Sequence, residues 1–177
     1  TFTERTGSDN PLNGEDIGSY AAPSFVDIDA DGDLDVFLGE QLGTILYYEN
    51  TGTSSSPTFT ERTGSDNPLN GEDIGSLSIP AFIDTDADGD QDIFIGEVFG
   101  AILYYENTGS SSSPAFTERT GSDNPLDAVD TTYYSSPAFV DIDGDGDQDV
   151  FIGGNDGTIQ FYINTTPDTI APTLSSS

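Results

Sequence analysis

Short runs of β-branched and aromatic residues alternate along the chain with runs of Gly, Asn, Asp, Ser and Pro. This alternation is typical of β-strands separated by turns, and no stretch predicts a helix. In the first unit the strand-like runs lie at 23–28, 35–40, 43–50 and 57–63. The pattern therefore predicts four consecutive strands, and it predicts an all-β chain.

The same pattern returns every 57 residues, without insertion or deletion, as the equivalent positions Phe2, Phe59 and Phe116 show. Periods of this length indicate arrays or propellers, in which each unit buries its faces against its neighbours. Four antiparallel strands per unit form the blade of a β-propeller. The predicted fold class is therefore all-β, with β-propeller blades formed by three four-stranded repeats of 57 residues.

The period also predicts the domain organisation. Residues 1–164 contain the three repeats, and residues 1–7 align with the fourth strand of a blade whose other strands are absent. The tail, residues 165–177, is either a degenerate strand or a linker to a following Ig-like module. The three predicted blades are 23–63, 80–120 and 137–164.

Three blades are fewer than a closed propeller needs, which is at least about four. Two explanations remain open. The chain is a partial propeller that belongs to a longer array, or strand exchange between chains completes it. In the second case the N-terminal strand of one copy completes the last blade of another, and either a closed ring or a filament results.

Charge narrows the possible partners. The chain has 33 acidic residues against three basic ones, for a formal charge of -30. Nucleic acids and anionic membranes would be repelled, and no apolar run predicts membrane insertion. The chain has no Cys or His, so zinc lacks its usual soft ligands. The natural partners of this chain are hard cations.

The stretch DIDADGDLD (27–35) places aspartates at alternate positions around one glycine. A loop with side chains at positions 1, 3 and 5, a bend at 6 and a backbone carbonyl at 7 can wrap a calcium ion. Position 9 would close the shell. The sequence predicts one Ca²⁺ per repeat, three in all. The predicted metal residues are Asp27, Asp29, Asp31, Asp33 and Asp35, then Asp84, Asp86, Asp88, Asp90 and Asp92, then Asp141, Asp143, Asp145, Asp147 and Asp149.

Two other interpretations of the loop are weaker. An EF-hand needs flanking helices and a glutamate at position 12, where this chain has Leu38 within a strand-like run. A solvated acidic turn would not need a glycine at the bend in all three copies, at Gly32, Gly89 and Gly146. Magnesium is a poorer fit than calcium because it requires strict octahedral geometry and retains its waters.

The segments FVDIDADGDLDVFLG, FIDTDADGDQDIFIG and FVDIDGDGDQDVFIG resemble FG-GAP repeats, also called VCBS-type or integrin-alpha-like repeats. In that family a calcium loop joins the first two strands of each propeller blade. The resemblance covers nearly all of residues 1–164. It implies one calcium ion per blade, held by the aspartates named above, and an extracellular or cell-surface location.

These observations lead to one principal hypothesis and two alternatives. The principal hypothesis is a calcium-stabilised, non-enzymatic propeller module of a secreted or cell-surface protein, serving adhesion or self-assembly through its N-terminal strand. Glycans or surface proteins are further candidate partners. The alternatives are a lectin-like module that binds through the variable segments around Tyr20, Leu77 and Tyr134, and a polysaccharide-active enzyme.

Two further side-chain predictions bear on these alternatives. Tyrosine pairs such as Tyr47 and Tyr48 could stack on sugars, but strand alternation favours one ring between blades and the other on the opposite face. Glu40 and Glu97 could form a carboxylate pair, but Gly154 replaces them in the third repeat. A solvated turn is the favoured prediction for both glutamates.

Overall fold

The structure, a computed structural model, describes residues 1–165 and contains three antiparallel sheets. The first two sheets have four strands each and the third has three, and within each sheet the strands follow chain order. This confirms an all-β chain of propeller blades, arranged as a partial propeller and not as a closed barrel. The strands are β1 Ala22–Val26, β2 Asp35–Gly39, β3 Ile45–Asn50, β4 Phe59–Arg62, β5 Ile79–Ile83, β6 Asp92–Gly96, β7 Ile102–Asn107, β8 Phe116–Arg119, β9 Ser136–Val140, β10 Asp149–Gly153 and β11 Ile159–Tyr162.

Each sheet begins with a proline-containing edge strand. Pro23, in β1, pairs with Leu38 of β2 on one side only. Proline has no N–H to give to a second neighbour, so an edge is the place where a sheet tolerates it. The first strands of successive blades, β1, β5 and β9, contact one another. The blades therefore radiate from a common inner edge, as in a propeller.

Apolar side chains from the two faces of the first and second sheets form separate cores. Tyr47 stacks on Phe37 with ring centroids 4.5 Å apart, in the core between the first and second blades. Tyr48, the next residue, packs with Val36 and Leu38 on the opposite face. The predicted division of the tyrosine pair is confirmed, because successive strand residues point to opposite faces. An equivalent core, which includes Phe94, joins the second and third blades.

Glycine lets neighbouring blades approach to backbone contact. A Cβ at Gly39 would lie 2.0 Å from the carbonyl oxygen of Ser78, which precedes the first strand of the second blade. The Ser78 hydroxyl also accepts a hydrogen bond from the Glu40 amide at 3.0 Å and donates to the Thr44 carbonyl at 3.1 Å. Gly96 and Ser135 repeat the arrangement one blade later. Each blade is thus fastened to the next through its connecting segment.

The two ends of the chain differ from the repeats between them. Thr1–Thr6 form no strand and are exposed, because the residues described here include no neighbouring strand for them. Their assignment to the fourth strand of a blade stays a prediction. The predicted tail is residues 165–177, and residues 166–177 of it lie outside the described part of the chain, so both predictions for the tail stay predictions. Residues 1–165 contain no helix long and apolar enough to cross a membrane.

Candidate metal centres

Each aspartate loop connects the first and second strands of its blade, as predicted. In the first loop Ala30 and Gly32 both have left-handed backbone conformations, with φ of 60° and 95°. Glycine adopts this conformation without steric cost, whereas alanine is strained in it. The third loop has Gly144 in place of the alanine, with φ of 82°. These two reversals turn the chain tightly enough to bring alternate carboxylates together.

Backbone amides within the loop fix the orientation of the carboxylates. The Asp31 amide donates to carboxylate oxygens of Asp27 and Asp29, each at 3.2 Å. The Gly32 amide donates to the other oxygen of Asp27 at 3.1 Å, and the Asp33 amide donates to Asp31 at 3.0 Å. The second and third loops repeat the bond to the first aspartate, from Gly89 at 3.0 Å and Gly146 at 3.2 Å. The loop geometry is therefore a repeated feature.

The loops bring three carboxylates together in every blade. In each group one oxygen per residue lies within 4.8 Å of the others. The first two groups are made by loop positions 1, 3 and 5, and the third by positions 1, 3 and 9. Each group could hold a metal ion. The groups are Asp27, Asp29 and Asp31; Asp84, Asp86 and Asp88; and Asp141, Asp143 and Asp149.

The aspartate at position 9 has a second role that the sequence did not reveal. Asp35 is almost fully buried, and its carboxylate accepts hydrogen bonds from the Asn50 amide at 2.7 Å and the Ile28 amide at 3.4 Å. The Tyr47 hydroxyl lies at 3.4 Å from the same carboxylate. Burial raises the pKa of Asp35 to about 6, although the Asn50 amide opposes the shift. Asp35 thus ties its loop to the end of β3.

Asp92 and Asp149 occupy the same buried position in the other blades. Asp92 accepts the Asn107 amide at 2.7 Å, and Asp149 accepts the Asn164 amide at 2.8 Å. An asparagine lies 15 residues after each of these aspartates, but its backbone amide makes the bond, so the residue type alone did not reveal it. The predicted metal ligand at position 9 is therefore also a structural acceptor in all three blades.

Two carboxylate oxygens in the loops have no hydrogen-bond partner among residues 1–165. Oδ1 of Asp33 and Oδ1 of Asp84 are both buried, and neither accepts a hydrogen bond. An unsatisfied buried carboxylate oxygen is costly unless a donor or a cation faces it. These two oxygens, together with an all-oxygen donor set, fit a hard divalent cation.

Burial and charge repulsion in the loops favour the same conclusion. Burial and then the neighbouring Asp31 raise the pKa of Asp29, and burial and then Asp88 raise the pKa of Asp86. Burial raises the pKa of Asp90 to about 6, with Asp88 as the next cause. Each of these carboxylates is harder to ionise than an isolated aspartate because it is partly withdrawn from water near like charges. A bound cation would reverse both effects.

The glutamates at the β2–β3 and β6–β7 turns are structural, and the prediction that they lie in a solvated turn is wrong. Glu40 is only 5% exposed, and its carboxylate accepts the Leu42 amide at 2.7 Å and the Thr44 amide at 3.0 Å. Burial alone would raise the pKa of Glu40, but these bonds and the Thr44 hydroxyl outweigh it and lower the pKa. Glu97 makes the same bonds in its own turn.

In the third blade the acidic residue of the equivalent turn, between β10 and β11, lies two residues later in the sequence. Gly154 stands at the glutamate position, and Asp156 instead accepts the amide and hydroxyl of Thr158 at 2.9 and 2.6 Å. In every blade, therefore, the acidic side chain accepts hydrogen bonds from residues of the turn in which it lies.

Replacing Glu97 with glutamine should destabilise the chain by roughly 1–3 kcal/mol, because the new NH₂ group must face a backbone N–H in a buried turn. Urea unfolding measured beside Glu118→Gln, a change of the same kind at an exposed position, tests this. Equal stability of the two variants would contradict a structural role for Glu97.

The three variable segments do not present one shared surface. Tyr20 and Tyr134 are exposed, whereas Leu77, at the equivalent position, is buried. All three have left-handed backbone conformations, with φ of 61°, 55° and 57° respectively. A carbohydrate site repeated in every blade is therefore not supported at these positions.

Comparison with known proteins gave two findings. The profile of the family described as FG-GAP-like repeat matches residues 27–95 and 84–152. Integrin alpha-4 of Xenopus laevis is 31% identical over 171 residues, which covers 87% of this chain and 16% of that protein. The chain thus spans less than a fifth of the length of this relative. The family match includes all three aspartate loops and ends inside β10, the second strand of the third blade.

Proposed function

Because the chain belongs to the FG-GAP-like repeat family, we propose that it is a calcium-stabilised, non-enzymatic β-propeller module of a secreted or cell-surface protein. The function of the module would be adhesion, self-assembly or both. The observation that carries the proposal is the carboxylate group repeated in each of the three loops. The integrin similarity supports the adhesion class.

Calcium would contribute charge neutralisation and cross-linking in these loops. The residues that would hold it are the clustered aspartates, together with Asp33 and its equivalents at loop position 7. Asp35 holds the end of the loop against β3 through the Asn50 amide. The loop residues therefore join three strands of one sheet, and they brace the blade without forming a catalytic centre.

An extracellular location would suit calcium sites of the affinity that extracellular modules have. Extracellular calcium modules bind at roughly 10⁻⁴ to 10⁻³ M. Millimolar calcium outside the cell would keep the loops occupied, whereas cytosolic calcium would not. The formal charge of -30 also favours a location where divalent cations are plentiful.

Calcium titration of the full chain by calorimetry should give three sites per chain. The double variant Asp84→Asn, Asp86→Asn should give two, because it removes two of the three clustered carboxylates of the second loop. Glu118→Gln removes one charge from an exposed strand position and should retain three sites. A wild-type stoichiometry of zero, or a loop variant that still binds three ions, would contradict the proposal.

A further inference from the structure

Within residues 1–165, the third sheet has an apolar face that no other element covers. We call it the open face, and it comprises Val140, Ile142, Phe151, Ile159 and Phe161. Ile159 is 72% exposed and Phe161 43%, whereas their equivalents Ile45 and Tyr47 in the first blade are 4% and 5% exposed. In the first two blades this face is buried against the next blade. A contiguous exposed apolar patch of this kind indicates an interaction surface.

The opposite end of the chain presents the complementary surface. Leu12 and Ile17 pack over the outer face of the first sheet, and both remain partly exposed. Their equivalents Leu69 and Ile74 are 2% exposed, because they are enclosed between the first and second blades. The chain thus already forms this interface twice within itself. Its N-terminal end carries one half, and its third blade carries the other.

Backbone hydrogen bonds show the same complementarity. Between the first two blades, the amides of Ile74, Leu77 and Ser78 donate to carbonyls in the preceding turn, at 3.1–3.3 Å. The second and third blades repeat all three bonds. The equivalent amides at the N-terminal end belong to Ile17, Tyr20 and Ala21, and no backbone acceptor within residues 1–165 bonds them.

The outer edge of β11 and the N-terminal residues also fit each other as neighbouring strands. In the first two blades β4 and β8 pair with the third strand, and both have the sequence FTER. The same four residues occur at Phe2–Arg5, where they are exposed and form no strand. The outer edge of β11 has no partner strand among the described residues. The identical sequence would therefore supply the missing fourth strand.

We infer that the open face and the β11 edge bind the N-terminal end, residues 2–21, of a second copy of this chain. The inference specifies the self-assembly part of the proposed function, on which it rests, and none of the predicted calcium ligands belongs to the proposed contact. The contact is heterologous, so two copies that bind each other reciprocally form a six-bladed ring, and other geometries form longer assemblies.

Charge sets the conditions for the test. Two copies of formal charge -30 repel each other at long range. Association should therefore be measured with calcium present and at physiological ionic strength, where the Debye length is about 8 Å. Light scattering across a concentration series should then give masses that are multiples of 18.7 kDa. A mass of 18.7 kDa at every concentration would overturn the inference.

Gly153 offers a specific test of the surface. A Cβ there meets nothing within 4 Å, whereas one at the equivalent Gly39 would lie 2.0 Å from the Ser78 carbonyl of the next blade. The residue equivalent to Ser78 in an incoming copy is Ala21. Gly153→Ala should therefore leave the circular dichroism spectrum unchanged and weaken association at least about tenfold. Undiminished association of a folded Gly153→Ala chain would overturn the inference.

A second pair of variants tests the N-terminal side. Phe2 and Phe99 are both exposed, but only Phe2 lies in the segment proposed to bind. Phe2→Asp should weaken association, and Phe99→Asp, which adds the same charge, should not. Equal effects of the two variants would contradict the proposed surface. A monomeric chain that still binds three calcium ions would sink this inference and leave the calcium proposal intact.

Discussion

Chelating calcium should lower the melting temperature of the chain by about 10 to 30 °C relative to a sample in about 10 mM calcium. At the site affinities expected for extracellular modules, roughly 10⁻⁴ to 10⁻³ M, each occupied site adds about 1.4 to 2.7 kcal/mol to the free energy of unfolding. Three sites add about 4 to 8 kcal/mol, and each kcal/mol shifts the midpoint of a domain of this size by about 2–4 °C. Calorimetric melting with calcium and with EDTA measures the effect directly.

Loop variants show whether the shift arises at the aspartates. The double variant Asp84→Asn, Asp86→Asn should lose about one third of the calcium-dependent shift, since one of the three carboxylate groups is disabled. Glu118→Gln should keep the full shift. Magnesium at the same concentration should restore less stability than calcium, because the loop does not impose octahedral geometry. Identical melting in calcium and EDTA would exclude a stabilising role for the ion.

The second large effect concerns the glycines at which blades touch. Gly39→Ala and Gly96→Ala should each lower the free energy of unfolding by about 3 kcal/mol or more, since a new Cβ would lie 2.0 Å from a carbonyl oxygen of the next blade. That carbonyl belongs to a segment fixed by several hydrogen bonds, including those of Ser78 or Ser135, so it cannot simply move aside. The melting temperature should fall by about 6–12 °C.

Gly153→Ala is the matched control for these two variants. The substitution is chemically the same and lies at the same blade position, but it meets open space. At a protein concentration low enough to keep the chain monomeric, its melting temperature should equal that of the wild type. If all three alanine variants had the same melting temperature, the loss of stability would be due to backbone propensity and not to the contact between blades.

The repeat made much of the fold predictable from sequence. Turn-forming residues such as Gly32 and strand-forming runs such as 35–40 recur at a fixed spacing. The strands assigned in one repeat could therefore be assigned in all three. The strands, the position of the aspartate loop and the division of Tyr47 from Tyr48 all followed from local pattern. These features depend on residues that are near one another in the chain.

Features that depend on contacts between residues far apart in the sequence were not predictable in the same way. Glu40 lies in a turn that the sequence predicts to be exposed, but the segment that connects to the next blade packs against it, where the Ser78 amide donates to the Glu40 carbonyl. The structural role of Asp35 likewise depends on Asn50, which pairing of β2 with β3 brings close. In both cases the sequence identified a carboxylate but could not show what surrounds it.

The contact made by Ser78 and Ser135 explains how an array of this kind can change its length. Both junctions use the same spacing, the same glycine and the same hydroxyl bonds, so one junction is interchangeable with the other. Duplication or loss of one 57-residue unit would join surfaces that already fit. Copy number can therefore drift in evolution without the invention of a new interface, and the near-identity of the repeats is what such recombination leaves behind.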